Sequence, residues 1–472
     1  MLRKNAVIRF LTSSIGLFFQ IASIFLLTKL LDIYQFALWG VATSFIYIFA
    51  AVGNLGYENN IEKYFPNLNN EKKITYIFKY FKTVTYTLPF WILILIFFER
   101  LNYFEKFNAD NIFIFFFIIS CIAVVEALVN LLNVYFISKN NNSVFDINEL
   151  IFFKIPKLIF FYLLLINNYS LYYLFLCVLI LRFIFLIRLL LLDSKGTYNP
   201  FIAFIKSNIF EDNFLNFKYN LTSYADNILY ISFLNFLFLI SVNFFENIAI
   251  SHFTLAILII NNLRPVIDTL PSIMTGIISK GVKNNESLES LRAFSFYVNS
   301  IIVGFVVPLA YVLTKNELLF SLFLSDDFER GVSKIIFLSI IASSIHTFYF
   351  PNYHELLFSG KEKILLKFNI GNYIISTFLY LILYLLLLDN FIYIYILYEL
   401  IYFGFVFFSQ YNFKNFFKLF KLSVSSYYAA FLIIIYFTDM SNNLFALVSI
   451  PFLLFDLKKL YEKLLKFNYF NN

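Results

Sequence analysis

Apolar runs long enough to cross a bilayer recur along the whole chain, and no other feature narrows its possible folds so far. A helix needs about 20 apolar residues to span the hydrocarbon. Between polar breaks the sequence offers fourteen such runs: 8–31, 36–57, 77–98, 112–138, 145–166, 170–192, 221–243, 250–271, 295–314, 332–351, 364–388, 391–411, 422–438 and 442–456. In lipid, backbone polar groups must be satisfied within the segment, so runs of this length read as helices. The composition agrees, with 61% hydrophobic and 14% charged residues, against roughly 25% charged in soluble domains. The expected fold is an all-α polytopic membrane protein of about fourteen transmembrane helices.

Charge placement sets the expected topology. With the N-terminus in the cytoplasm, 28 of the 36 Lys and Arg fall on the cytoplasmic side. Six (Lys29, Arg100, Lys106, Lys315, Arg330 and Lys334) fall outside, and Arg182 and Arg264 lie within spans. This is the positive-inside bias. It places both termini in the cytoplasm and supports the short last run, which carries Pro451. The net charge of +7 is therefore dispersed in connectors, which argues against nucleic-acid binding. The basic start leads into a run too long for a signal-peptide core, so no cleaved leader is expected.

The first twelve runs divide into two six-helix halves. "LLDIYQFALWG" after span 1 is similar to "FFENIAISHFT" after span 7, with Asp32 and Glu246 offset by 214. "NNEKK" at 69–73 and "NNESL" at 284–288 keep an offset of 215. Each half begins on the cytoplasmic side, which implies parallel repeats about an axis along the membrane normal. The expected organisation is an N-lobe (1–192), a cytoplasmic connector (193–220), a C-lobe (221–411), and two extra helices with a cytoplasmic tail (412–472).

Ionisable groups within spans cost several kcal/mol unless paired or hydrated, so they mark candidate sites. Asn261, Arg264 and Asp268 share one face of span 8, and Glu126, Asn130 and Asn133 share one face of span 4. Span 1 carries Ser13, Gly16, Gln20 and Ser23, and span 2 carries Thr43, Tyr47 and Asn54. Asp226, Arg182 and Glu399 lie within spans 7, 6 and 12. Ser, Thr and Gly at such positions ordinarily serve helix packing. The charged groups spread over both halves suggest a hydrated cavity, with Arg264, Arg182 and Lys29 as its cations. Glu126, Asp226, Asp268, Asn261, Glu399 and Gln20 are its polar lining and candidate ion-coupling groups.

No enzymatic motif emerges. "HELLF" at 354–358 lacks the second His of a zinc-protease helix, and "GIISKG" at 276–281 lacks the Lys-Ser/Thr of a phosphate loop. The three His are scattered, and Cys121 and Cys177 sit inside apolar runs. No cofactor or metal is expected.

"FLLTKLLDIYQFALWG" at 25–40, "GNLGYENNIEKYFPN" at 53–67 with Lys63-Tyr64-Phe65-Pro66, "SYADNIL" opening span 7, "LRPVIDTLPSIMTGIIS" in span 8 and "LLFSGKEK" at 356–363 carry a further signal. With them the chain resembles the bacterial polysaccharide (O-antigen, Wzx-type) flippase family of the multidrug/oligosaccharidyl-lipid/polysaccharide (MOP) exporter superfamily. The turn after span 1 lacks the Gly often found there. The resemblance implies two lobes around a central cavity lined by spans 1, 2, 7 and 8, in a bacterial inner membrane. It implies a lipid-linked oligosaccharide substrate on an undecaprenyl-type diphosphate. A glycan polymerase and a chain-length regulator are its candidate partners. Lys29 matches the basic position at the end of span 1, whereas Arg264 is inferred from burial. Two other classes stay open. One is a cation-coupled small-molecule antiporter of the same superfamily. The other is a membrane glycan polymerase, disfavoured by outward connectors no longer than 99–111 and 315–331. The major facilitator group is disfavoured by the Gly-free loop "ENNIEKYFPNLNNEKK".

Overall fold

The computed structural model describes residues 2–58, 61, 65, 70–101, 103–104, 112–139, 141–193, 217–267, 289–315, 332–385, 392–409, 431–433 and parts of 451–459. The described residues are almost wholly helical, with no strand among them. Over their described residues the first twelve expected spans fall on helix, with a break at 86–87; 422–438 and 442–456 lie almost entirely outside the described residues. Among the described residues seven helices are long and apolar enough to cross a membrane. The fold is that of an all-α, multi-pass membrane protein.

Two compact units divide the chain, Ser14–Thr254 and Met1–Ser13 with Leu255–Asn472. The first holds most of α1 (Leu2–Leu30), then α2 (Ile33–Gly53), α3 (Asn70–Thr85), α4 (Leu88–Arg100) and α5 (Ile112–Ser138). It continues with α6 (Asn142–Glu149), a π turn (Leu150–Lys154), α7 (Ile155–Ile166), α8 (Leu171–Asp193), α9 (Phe217–Ser241) and the start of α10 (Asn247–Ile267). The second contains α11 (Glu289–Lys315), α12 (Val332–Phe358), α13 (Glu362–Leu385) and α14 (Ile392–Phe408). These units follow packing, whereas the lobes expected above follow a sequence repeat.

Local chemistry accounts for the breaks between helices. Asp32 caps α2, its carboxylate accepting from the Gln35 N–H at 2.7 Å, so the link from α1 needs only two residues. Lys29 closes the last turn of α1, where a cation suits the helix dipole. Gly56 and Gly360 adopt φ of 74° and 75° after α2 and α12, the left-handed geometry of helix C-termini that glycine takes without strain. Pro89 near the start of α4 accompanies the break at Tyr86–Thr87 in the expected span 77–98.

Packing in the first unit centres on α2 and α5. Trp39 stacks on Phe175 at 4.3 Å and meets Phe161 edge-on at 5.4 Å. Phe65, from the Lys63–Pro66 element, is fully buried against Tyr80 and Tyr135; its three companions lie outside the described residues. Gly40 faces Thr254 so closely that a Cβ there would collide with the threonine side chain. Gly40 and Thr254 are equivalent positions under the 214-residue offset. Nearby, the Ser251 hydroxyl donates to the Ile33 carbonyl at 2.8 Å.

Candidate functional site: an intramembrane charge cluster

In their middle turns α2 and α5 bury most of their residues, and several of those left accessible there are polar. On α5, Glu126, Asn130 and Asn133 are half-buried, while most surrounding apolar residues are buried. On α2, Thr43 and Tyr47 are half-buried, with Ala42, Ser44, Phe45 and Ile46 beside them buried. A lipid-facing helix would show the reverse, with apolar residues outward. Solvent-sized space therefore reaches polar stripes inside the helical unit.

A charged network lies beside these stripes. Arg182 belongs to the inward face of α8, eleven residues from each helix end, or about 16 Å at 1.5 Å per residue. Its Nε and Nη2 donate to the two oxygens of Glu126 at 2.8 and 3.0 Å. Its Nη1 donates to Glu149 Oε1 at 3.0 Å. The guanidinium lies over the Phe153 ring at 3.6 Å. This uses the planar fork of arginine, bidentate on one carboxylate and stacked on an aromatic face. Lys154 closes on Glu149 Oε2 at 2.8 Å. Gly16 of α1 leaves the room Lys154 occupies, since a Cβ at Gly16 would approach Lys154 Nζ to 2.9 Å. Tyr47 is within electrostatic reach of Glu126, Arg182 and Glu149.

The π turn builds part of this arrangement. Pro156 has no N–H and its ring crowds the carbonyl of residue 152, which disfavours a regular α-helix. The Ile155 N–H instead reaches back five residues, to the Leu150 carbonyl. In a regular α-helix residues five apart lie about 140° apart around the axis, too far to pair. The wider turn brings Glu149 and Lys154 onto one side.

Lys157, one turn further along, lies on the inward stripe Phe153–Lys157–Phe161–Leu165, whereas Ile159, Phe160, Tyr162 and Leu163 face outward. Its ammonium sits 5.3 and 5.9 Å from the Phe153 and Phe161 rings. The cluster thus contains three cations and two carboxylates. Its members are not sealed: side-chain exposure is 10% for Arg182, 13% for Lys154 and 15% for both Glu126 and Glu149.

Of the residues singled out in the sequence, the structure brings Arg182 and Glu126 into direct contact. The guanidinium is committed to two carboxylates rather than standing as a bare cation. Gln20 is half-buried, one turn beyond Gly16. Lys29 is exposed at the end of its helix. Glu399 belongs to the second unit, fully buried, and accepts from the Tyr349 hydroxyl at 2.6 Å, which also meets His346 Nδ1 at 2.9 Å. Asn261 is half-buried, and its Nδ2 has no hydrogen-bond partner among the described residues. The side chains of Arg264 and Asp226, and all of Asp268, lie outside the described residues. Ser23 and Thr43 bond to carbonyls of their own helices, as helix-packing hydroxyls do. Among the described residues no group of His, Cys, Asp and Glu could hold a metal ion.

Glu149, Lys154 and Lys157 were not among the expected site residues. Charge counting placed both lysines at the cytoplasmic end of span 5, and the i, i+5 spacing of Glu149 and Lys154 matches no α-helical pairing rule. All three nevertheless fall within the apolar run 145–166, and that was the available signal.

No protein-family model matches the sequence, and no match was found among curated proteins. Solved structures do share its fold. Lipid II flippase MurJ in an inward closed conformation is 14% identical, with a TM-score of 0.61 and 98% of each chain covered. The eukaryotic MATE transporter AtDTX14 is 13% identical with a TM-score of 0.59, covering 91% of this chain and 97% of the transporter. An inward-facing multidrug resistance MATE family transporter of the MOP superfamily is 12% identical with a TM-score of 0.59, covering 89% of this chain and 100% of that one. The chain therefore has the fold of these transporters and flippases.

Proposed function

We propose that the chain is a flippase that moves a polyprenyl-diphosphate-linked oligosaccharide, an O-antigen, capsule or exopolysaccharide repeat unit, from the inner to the outer leaflet of a bacterial cytoplasmic membrane. The observation that carries this reading is the solvent-reached cluster at mid-helix depth with more cations than carboxylates. A glycan and a diphosphate cannot enter hydrocarbon unaided, because unpaired polar groups pay heavily there. Fixed cations beside polar stripes supply charge-assisted bonds to phosphate oxygens. The fold shared with a lipid II flippase supports a lipid-linked cargo.

In this reading the lobes 1–192 and 221–411 rock about the cargo, joined by the connector 193–220, with both termini and the 412–472 tail's end in the cytoplasm. Arg264, Asp226 and Asp268 complete the lining. An inside-negative potential favours outward movement of an anionic headgroup by about 2.3 kcal/mol per charge per 100 mV. A small-molecule antiporter shares the fold equally well, but a cationic cargo would meet the surplus positive charge.

Deletion of the gene separates the readings. The flippase reading expects undecaprenyl-linked repeat units to accumulate on the inner leaflet and surface glycan to disappear. Single unpolymerised units accumulating outside would indicate a polymerase, and unchanged surface glycan would refute glycan export.

A further inference from the structure

The charges within the cluster are unequally satisfied. Glu126 is held by both edges of Arg182, and Glu149 is shared between Arg182 and Lys154. Lys157 forms no ion pair with any carboxylate among the described residues; two phenylalanine rings lie 5.3 and 5.9 Å from its ammonium, and Glu149 and Glu126 act on it only at longer electrostatic range. Cation–π contacts return less than an ammonium loses on leaving water for a helical interior. Lys157 cannot escape by snorkelling, since its helix carries it inward between Phe153 and Phe161, both buried.

We infer that Lys157 is an anion seat, taking a phosphate oxygen of a diphosphate headgroup, and that Arg182 is a positioning residue that keeps Glu126 and Glu149 from occupying it. This rests on, and deepens, the flippase reading. The chemistry of the seat follows from its surroundings. A carboxylate or phosphate oxygen would pair with the Lys157 ammonium, and the Lys154 and Arg182 cations lie within electrostatic reach of the same place. A polyanion gains more than a monoanion from such a concentration of positive charge. Two carboxylates already clamped by Arg182 leave the lysine free to receive it. Arg182 holds both carboxylates by direct bonds, which keeps them off the Lys157 ammonium.

The protein contains its own reporter. Of its two tryptophans, Trp39 and Trp91, the first packs against Phe161, whose ring also borders the Lys157 ammonium. In a Trp91→Phe background, Trp39 fluorescence of the full chain in detergent is titrated with inorganic diphosphate, inorganic phosphate and a short-chain polyprenyl diphosphate. The expected result is a saturable change with diphosphate that is weaker with phosphate. Lys157→Met raises the Kd by about tenfold or more, the loss expected for a charged hydrogen bond, and Lys157→Arg restores it to within about threefold. Equal affinity for inorganic and polyprenyl diphosphate would assign the seat to the phosphates alone; preference for the polyprenyl form would add the lipid chain. Should Lys157→Met misfold, protection of Lys157 from amine acylation by diphosphate in the unaltered sequence, read by mass spectrometry, serves instead. An unchanged Kd in Lys157→Met, no saturable change with any of the probes, or no protection overturns the assignment. The flippase reading fails separately. Glycolipid movement without diphosphate binding at Lys157 removes only the seat, and binding without movement removes only the flippase.

Discussion

Replacing Arg182 by methionine is expected to destabilise the protein more than any other single change in the cluster. The substitution leaves Glu126 with no cation bonded to it and Glu149 with Lys154 alone. Removing one partner of a buried ion pair costs about 3–5 kcal/mol, because the charge left behind is uncompensated. Thermal unfolding in detergent, followed by the folded fraction on gel filtration, should show a loss of that order. Arg182→Lys should recover only part of it, since a point charge cannot reproduce a fork bonded to two carboxylates and stacked on Phe153. Combining Arg182→Met with Glu126→Gln should recover much of the rest. A loss below about 1 kcal/mol for Arg182→Met would mean that the network is an exposed one, where ion pairs contribute about 0–1 kcal/mol.

A disulfide between residues 40 and 254 should abolish transport, and reduction should restore it. Gly40 and Thr254 touch, on helices that the expected topology starts from the outer face, and they are equivalent under the sequence repeat. In the two-half organisation proposed here, equivalent positions in contact would lie on the axis relating the halves. In the rocking mechanism proposed here, this contact must open for cargo to leave outward. The cross-link between Gly40→Cys and Thr254→Cys, made with Cys121 and Cys177 replaced by alanine, holds it shut. A Cβ at residue 40 would stand 2.6 Å from that of residue 254, against about 3.8 Å in a disulfide, so the helices must part slightly to accept the pair, and transport by the reduced double variant is the control. Full transport with the bond formed would show that this crossing stays closed throughout the cycle.

The legible and illegible parts of the structure divide along a physical line. Runs of twenty apolar residues specify helices because lipid offers the backbone no other partner, so the run 112–138 coincides with α5. The polar stripe Glu126–Asn130–Asn133 was readable because α5 is regular, and spacing alone then puts three residues on one face. Arg182 was readable as an inward charge, but its partners were not. Glu149 and Lys154 meet across a π turn forced by Pro156, which breaks the periodicity that such reading depends on. Lys157 was hidden differently, because charge counting assigned it to the cytoplasmic side although it lies twelve residues into the run 145–166. The break at Tyr86–Thr87 likewise interrupts an apolar run whose composition gives no warning beyond Pro89.

The most direct measurement reconstitutes the purified chain in liposomes with a polyprenyl-diphosphate-linked oligosaccharide bearing a fluorescent sugar in both leaflets. A membrane-impermeant quencher is added outside, with and without an inside-negative potential. The account predicts that label confined to the inner leaflet becomes quenchable only in vesicles containing the protein, faster with the potential and slower in Lys157→Met. Label that stays protected in active-protein vesicles, while a lipophilic cation is moved across the same membranes, would contradict it.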